Sequence, residues 1–93
     1  MTVISILEAD MPPDKAAKLE ANFNEGTKEL EPGVVQMFLV RNGTKCKILI
    51  VWENKEAVNA SKSRGPPKAA QMFKYAGVEP IGLVYDVVKH VEK

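Results

Sequence analysis

Apolar positions recur along this chain with two periods, and each change of period marks an element. Residues 2–9, TVISILEA, are β-branched and apolar and predict a first strand from Thr2 to Ala9. Met11-Pro12-Pro13-Asp14 breaks that run and offers a helix start, with proline before or inside the first turn. Ala16, Leu19, Phe23, Gly26 and Leu30 then follow at steps of three and four, while Lys15, Lys18, Asn22, Glu25 and Glu29 fill the other face. That is an amphipathic helix with one buried stripe, stopped by Glu31-Pro32-Gly33.

A second strand is predicted over Val34 to Arg41, and Asn42-Gly43 reads as a type I′ hairpin turn. Cys46 to Glu53 then returns antiparallel as the third strand. Asn54 can cap a second helix, which Arg64-Gly65-Pro66-Pro67 ends. Lys68 to Ala76 is a further short helix with Gly77 placed for a left-handed cap, and Ile81 to Val91 is the last strand. The order is ferredoxin-like β-α-β-β-α-β: an α+β fold with a four-stranded antiparallel sheet and its helices on one face. The 93 residues are expected to form a single domain over residues 1–93, with no repeat or linker.

The strand faces carry a further inference. The second strand is expected to point Val34, Phe38 and Val40 one way and Val35, Met37 and Leu39 the other. The third opposes Ile48, Ile50 and Trp52 to Leu49 and Val51. The fourth opposes Ile81, Leu83, Tyr85 and Val87 to Val84 and Val88. A sheet with one wet face alternates apolar with polar, and these strands do not. Right-handed crossovers put both helical connections on the same side, so a second copy of the sheet is expected to cover the other face. A homodimer follows.

Composition narrows the function. Thirteen basic and twelve acidic residues leave the chain near neutral, which removes the electrostatic reason for a nucleic-acid or anionic-membrane partner. The third strand, KCKILIVWE, lacks the stacking aromatics of an RNA-binding sheet. No apolar run approaches the ~20 residues of a membrane span, no secretion signal is evident, and a cytoplasmic location is expected. The single Cys46 reads as a small buried hydrophobe. With one histidine, His90, near the C-terminus, a two-histidine or cysteine-rich metal site has no basis within one chain, and no nucleotide-binding glycine motif is present.

What remains is a set of groups able to line a pocket: Trp52, Tyr85, Phe23, Phe38, Phe73, Tyr75, Arg41 and Asp86. Trp52 and Tyr85 stand out because each carries a polar atom that needs a partner when buried. The same residues are also what a core or rim requires, and both readings stay open. No catalytic residue is named by the pattern. Ser63-Arg64-Gly65-Pro66-Pro67 reads as a helix breaker or as a lid with an anion-binding arginine.

Three features resemble the antibiotic biosynthesis monooxygenase-like group of the dimeric α+β barrel superfamily. They are Pro32-Gly33-Val34 leading into the second strand, Val51-Trp52-Glu53-Asn54-Lys55-Glu56-Ala57-Val58, and the closing strand after Gly77. The resemblance implies a dimeric barrel and, for some members, oxygenation of an electron-rich hydroquinone or anthrone without metal or flavin, so that no cofactor is expected. It also implies a histidine in a Glu-Ala-x-x-Ala-His pattern, where this chain has Ser61. The tryptophan and histidine that haem-degrading relatives carry in and after that helix are missing, which argues against haem degradation. Two functions are therefore expected to compete: a cofactor-independent monooxygenase acting on a small aromatic of quinol or phenol type, and a non-catalytic dimeric module that binds a small apolar or aromatic molecule or a partner protein. An isomerase or decyclase of the same superfamily is a third.

Overall fold

A computed structural model describes residues 2–93. The elements are β1 (Val3–Asp10), α1 (Pro13–Gly26), β2 (Val34–Asn42), β3 (Lys45–Trp52), α2 (Lys55–Ser63), α3 (Lys68–Tyr75) and β4 (Ile81–Asp86). The four strands form one antiparallel sheet in the order β2-β3-β1-β4, the ferredoxin-like arrangement the pattern predicts.

Local chemistry places the element ends. Pro13 opens α1 behind Pro12, whose φ of −68° and ψ of 160° belong to extended backbone, and Asp14 lies in the first turn near the positive end of the helix. The helix stops at Gly26, four residues before the predicted end at Leu30. Thr27 closes it through both its backbone N–H and its hydroxyl, donating to the Phe23 carbonyl at 3.0 and 2.7 Å. Leu30 therefore lies outside the helix and is exposed. Asn54 caps α2 by accepting from the Ala57 N–H at 2.9 Å. After α3, Gly77 at φ 91° donates to Lys74 and Val78 donates to Phe73, which is the Schellman closure expected of a glycine there.

The hairpin turn differs from expectation by one residue. Asn42 pairs with Lys45, so the two-residue loop is Gly43-Thr44, and only Gly43 has positive φ (62°). Glycine at the first central position is the type II′ pattern, whereas a type I′ turn on Asn42-Gly43 needs positive φ at both. β4 also ends early, at Asp86, because that residue already faces Val3, where β1 begins. Val87 N–H still reaches the Thr2 carbonyl at 3.0 Å; Val88 and Val91 lie beyond the sheet and are exposed.

Register sorts the side chains into two faces. On the helix side run the rows Val34–Trp52–Val3–Asp86, Met37–Ile50–Ser5–Val84 and Leu39–Ile48–Leu7–Gly82. Their central members pack with Leu19, Val58, Ala69, Met72 and Phe73 to form the core, in which Phe73, Leu19 and Ile48 are fully buried. On the other side run Gln36–Val51–Ile4–Tyr85, Phe38–Leu49–Ile6–Leu83 and Val40–Lys47–Glu8–Ile81. One facing expectation fails: Val34 belongs with Met37 and Leu39, not with Phe38 and Val40. A bulge between Val34 and Gln36 sets two residues of β2 against one step of β3 and reverses the phase at that end. The bulged Val35 is half exposed.

Candidate functional site

Trp52 is the last residue of β3, on the helix side of the sheet, with only 4% of its surface exposed. Its position follows from alternation: Cys46, Ile48 and Ile50 precede it on the same face and are all buried. The indole crosses to β1, where Nε1–H donates to Ser5 Oγ at 2.9 Å. Ser5 faces Ile50 on one side and Val84 on the other, so Trp52 meets it diagonally, a reach within an indole's length. That bond satisfies the indole donor, and no buried side-chain nitrogen or oxygen among the described residues lacks a partner.

These two residues line a cleft of about 240 Å³ between the sheet and α2. Leu7, Ile50, Val58, Pro67 and Val84 supply apolar wall; Gly82, without a side chain, leaves room on β4. Three polar side chains reach it: Ser5, Ser61 and Lys62. Lys62 is the sole charged one, is exposed at the rim, and has no ion-pair partner among the described residues. A concave apolar wall with a few convergent polar groups is the usual form of a small-molecule site. Ser61, where the related pattern carries histidine, stands on this cleft.

Above the cleft the Arg64–Pro67 connection is tied down. Arg64 Nη2 contacts Glu31 Oε2 at 3.0 Å, joining the loop after α2 to the loop after α1. The arginine considered as an anion ligand on a lid is thus held by a carboxylate.

The remaining candidates are scattered. Phe23 and Arg41 come together in a separate cleft of about 380 Å³ beside the β2 edge, with Glu20, Asn24 and Leu39; its lining mixes opposite charges rather than enclosing an apolar space. Phe38 and Tyr85 lie on the open face, with Tyr85 half exposed, so the sheet itself separates Tyr85 from Trp52. The two cannot orient one ring within a single chain. Phe73 is core, Tyr75 is 76% exposed, and Asp86 is an exposed residue ending β4. His90 lies beyond β4, where Nε2 is 3.5 Å from Glu92 Oε1. Among the described residues no group of three His, Cys, Asp or Glu side chains is placed to hold a metal. Ser5 and Lys62 were missed from sequence. The available signal was a lone hydroxyl at the inward position between Val3 and Leu7, where an apolar residue is expected.

The fold and cleft define a class: a ferredoxin-like α+β protein with an apolar pocket between sheet and helices. A sequence model described as antibiotic biosynthesis monooxygenase matches residues 2–72, and the chain belongs to that family. Solved structures with this fold include SnoaB, a cofactor-independent oxygenase from Streptomyces nogalater, at TM-score 0.71 and 13% identity over 99% of this chain and 98% of that one. A heme-degrading protein from Mycobacterium tuberculosis matches at TM-score 0.69 and 25% identity over 99% and 100%. A protein of unknown function from Nitrosomonas europaea matches at 0.72 and 13% over 99% and 94%. No curated protein matches the sequence. No helix of the described residues is long and apolar enough to cross a membrane.

Proposed function

We propose that this protein is a cofactor-independent monooxygenase of a small aromatic substrate of quinol or phenol type, bound in the Trp52 cleft. The observation that carries the reading is the cleft itself: apolar walls beside a fixed indole, with hydroxyls and one cation as the only polar groups. Family membership and the fold shared with an oxygenase support it. In an anthrone-type substrate the chemistry needs no outside reductant. A CH₂ group becomes C=O, one oxygen atom of O₂ is retained and the other leaves as water. The protein's task is then to seat the ring, exclude water and favour loss of the substrate's proton.

One observation favours a second reading, ligand binding without turnover. Ser61 lines the cleft at the position where the resemblance implies a histidine, and a serine hydroxyl is a poor proton acceptor at neutral pH. Oxygen uptake by the purified protein with a panel of hydroquinones, anthrones and phenols separates the two. Uptake well above the uncatalysed rate, lost in Trp52→Ala, is expected for the oxygenase. No uptake across the panel, with saturable binding retained, would leave the binding module.

The assembly we infer is a homodimer through the open face of the sheet. Phe38, Val40, Ile81, Leu83 and Tyr85 are all between 44% and 68% exposed there, on the two edge strands and flanking Leu49 and Ile6. A contiguous apolar face of this kind is rare on a monomer. A monomer by light scattering at micromolar concentration would refute the inference.

A further inference from the structure

Trp52 Nε1–H is already committed to Ser5 Oγ at 2.9 Å, so the indole has no donor left for a ligand. The hydroxyl that accepts this bond has its own proton free to turn. Among the described residues no protein group accepts from Ser5 Oγ–H, and Ser5 lines the cleft. Accepting one hydrogen bond also strengthens the hydroxyl as a donor in a site of low polarity. On the cleft with it is Lys62, the one charged side chain there, and it is positive.

We propose that Ser5 is the ligand-positioning donor of this site, seating the oxygen of an aromatic hydroxyl through its O–H, with the Lys62 ammonium favouring the ionised form. Trp52 then acts in two ways that do not include donating to the ligand: its ring is wall, and its N–H aims Ser5. The substrate class this selects is a phenol able to ionise, bound as phenolate. The inference rests on the Trp52 cleft being the substrate site, and it is independent of whether oxygen is consumed there.

The test uses 4-nitrophenol, whose coloured phenolate reports both binding and ionisation by visible absorption, with the intact protein and four variants. The wild type is expected to bind saturably and to hold the probe ionised at lower pH than in free solution. Trp52→Phe keeps an aromatic ring, removes the N–H that aims Ser5, and is expected to lose about threefold in affinity, less than Ser5→Ala. Ser5→Ala is expected to weaken binding by about tenfold, the scale of one charge-assisted hydrogen bond. Because that change leaves a buried indole N–H without a partner, the Trp52→Phe/Ser5→Ala double variant repeats the measurement with neither group present, and thermal melts confirm that each variant is folded. Lys62→Met is expected to return the probe's ionisation toward its value in water. No saturable binding by wild type, unchanged affinity in Ser5→Ala and in the double variant, or loss of affinity in Trp52→Phe as large as in Ser5→Ala would each overturn the assignment of Ser5. Ionisation in Lys62→Met equal to that in wild type would overturn the role of Lys62, and a wild type that leaves the probe's ionisation at its free-solution value would overturn the anionic form. Nitrophenol binding with this pattern but no oxygen uptake from any substrate would retain the positioning role while rejecting the oxygenase reading.

Discussion

At the level of single residues, the cleft exists because two positions are smaller or more polar than their rows demand. Ser5 sits between Ile50 and Val84, and Gly82 sits opposite Leu7, in rows otherwise apolar. Gly82 has no positive φ, and a Cβ built on it would lie 3.7 Å from Leu7 Cγ, an ordinary contact. Its lack of a side chain is therefore a matter of space, not of backbone. Gly82→Val should fold with an unchanged or slightly raised melting temperature, since β-branched residues suit strands. It should also lower affinity for a phenolic ligand by roughly tenfold by filling the cleft, as read by titration. Unchanged affinity would show that ligands bind elsewhere. Trp52 was legible as a candidate from its place in the third strand, but its partner was not. A serine three residues into one strand and a tryptophan ending another meet only when β1 pairs with β3 in a particular register.

Among the elements, the connections are more tightly specified than the strands. Gly33 has φ 88°, and a Cβ there would overlap the Cβ of Ala57 in the first turn of α2. Its carbonyl also accepts from Glu53 N–H at 2.9 Å, so this turn clamps the end of β3, and with it Trp52, against the start of α2. Gly33→Ala combines left-handed backbone strain with a clash and should cost about 2–3 kcal/mol. Denaturant titration with unchanged m-value is the check, and adding Ala57→Gly should recover part of the loss. The elements themselves were readable from apolar period and turn residues. The departures from that pattern are local: Thr27 closes α1 before the apolar stripe ends at Leu30, and the β2 bulge reverses one residue's face. A bulge leaves no periodic trace, because Val34-Val35 is apolar in either phase.

For the whole molecule, the sheet has one face packed under helices across β2, β3 and β1, with β4 exposed beside them, and one bare face. The bare face's middle row, Phe38–Leu49–Ile6–Leu83, crosses all four strands and lies in the centre of the inferred interface. Leu83→Asp places a charge there while leaving the helix-side core untouched. Light scattering should report a monomer for this variant and a dimer for wild type at the same concentration. If wild type and variant have the same mass, the face is not an interface. The aromatic candidates divide along the same line: Phe38 and Tyr85 belong to the bare face, Phe73 to the core, and Trp52 alone to the cleft between sheet and α2.

The amino-acid sequence by itself determined the order of elements, the ferredoxin-like class, the two apolar faces of the sheet and the prominence of Trp52. Each follows from short-range physics: alternation by two, stripes by three and four, and proline or glycine where a helix must start or stop. Only the tertiary structure decided which face Trp52 occupies, that Tyr85 lies across the sheet from it, and that Ser5, Ser61 and Lys62 share its cleft. Those facts depend on pairing between segments far apart in the chain: 47 residues separate Trp52 from Ser5, and β1 pairs with β4 across a longer stretch still. A one-residue change of register would turn every side chain of a strand to the opposite face, and nothing local to any strand records which register the sheet adopts.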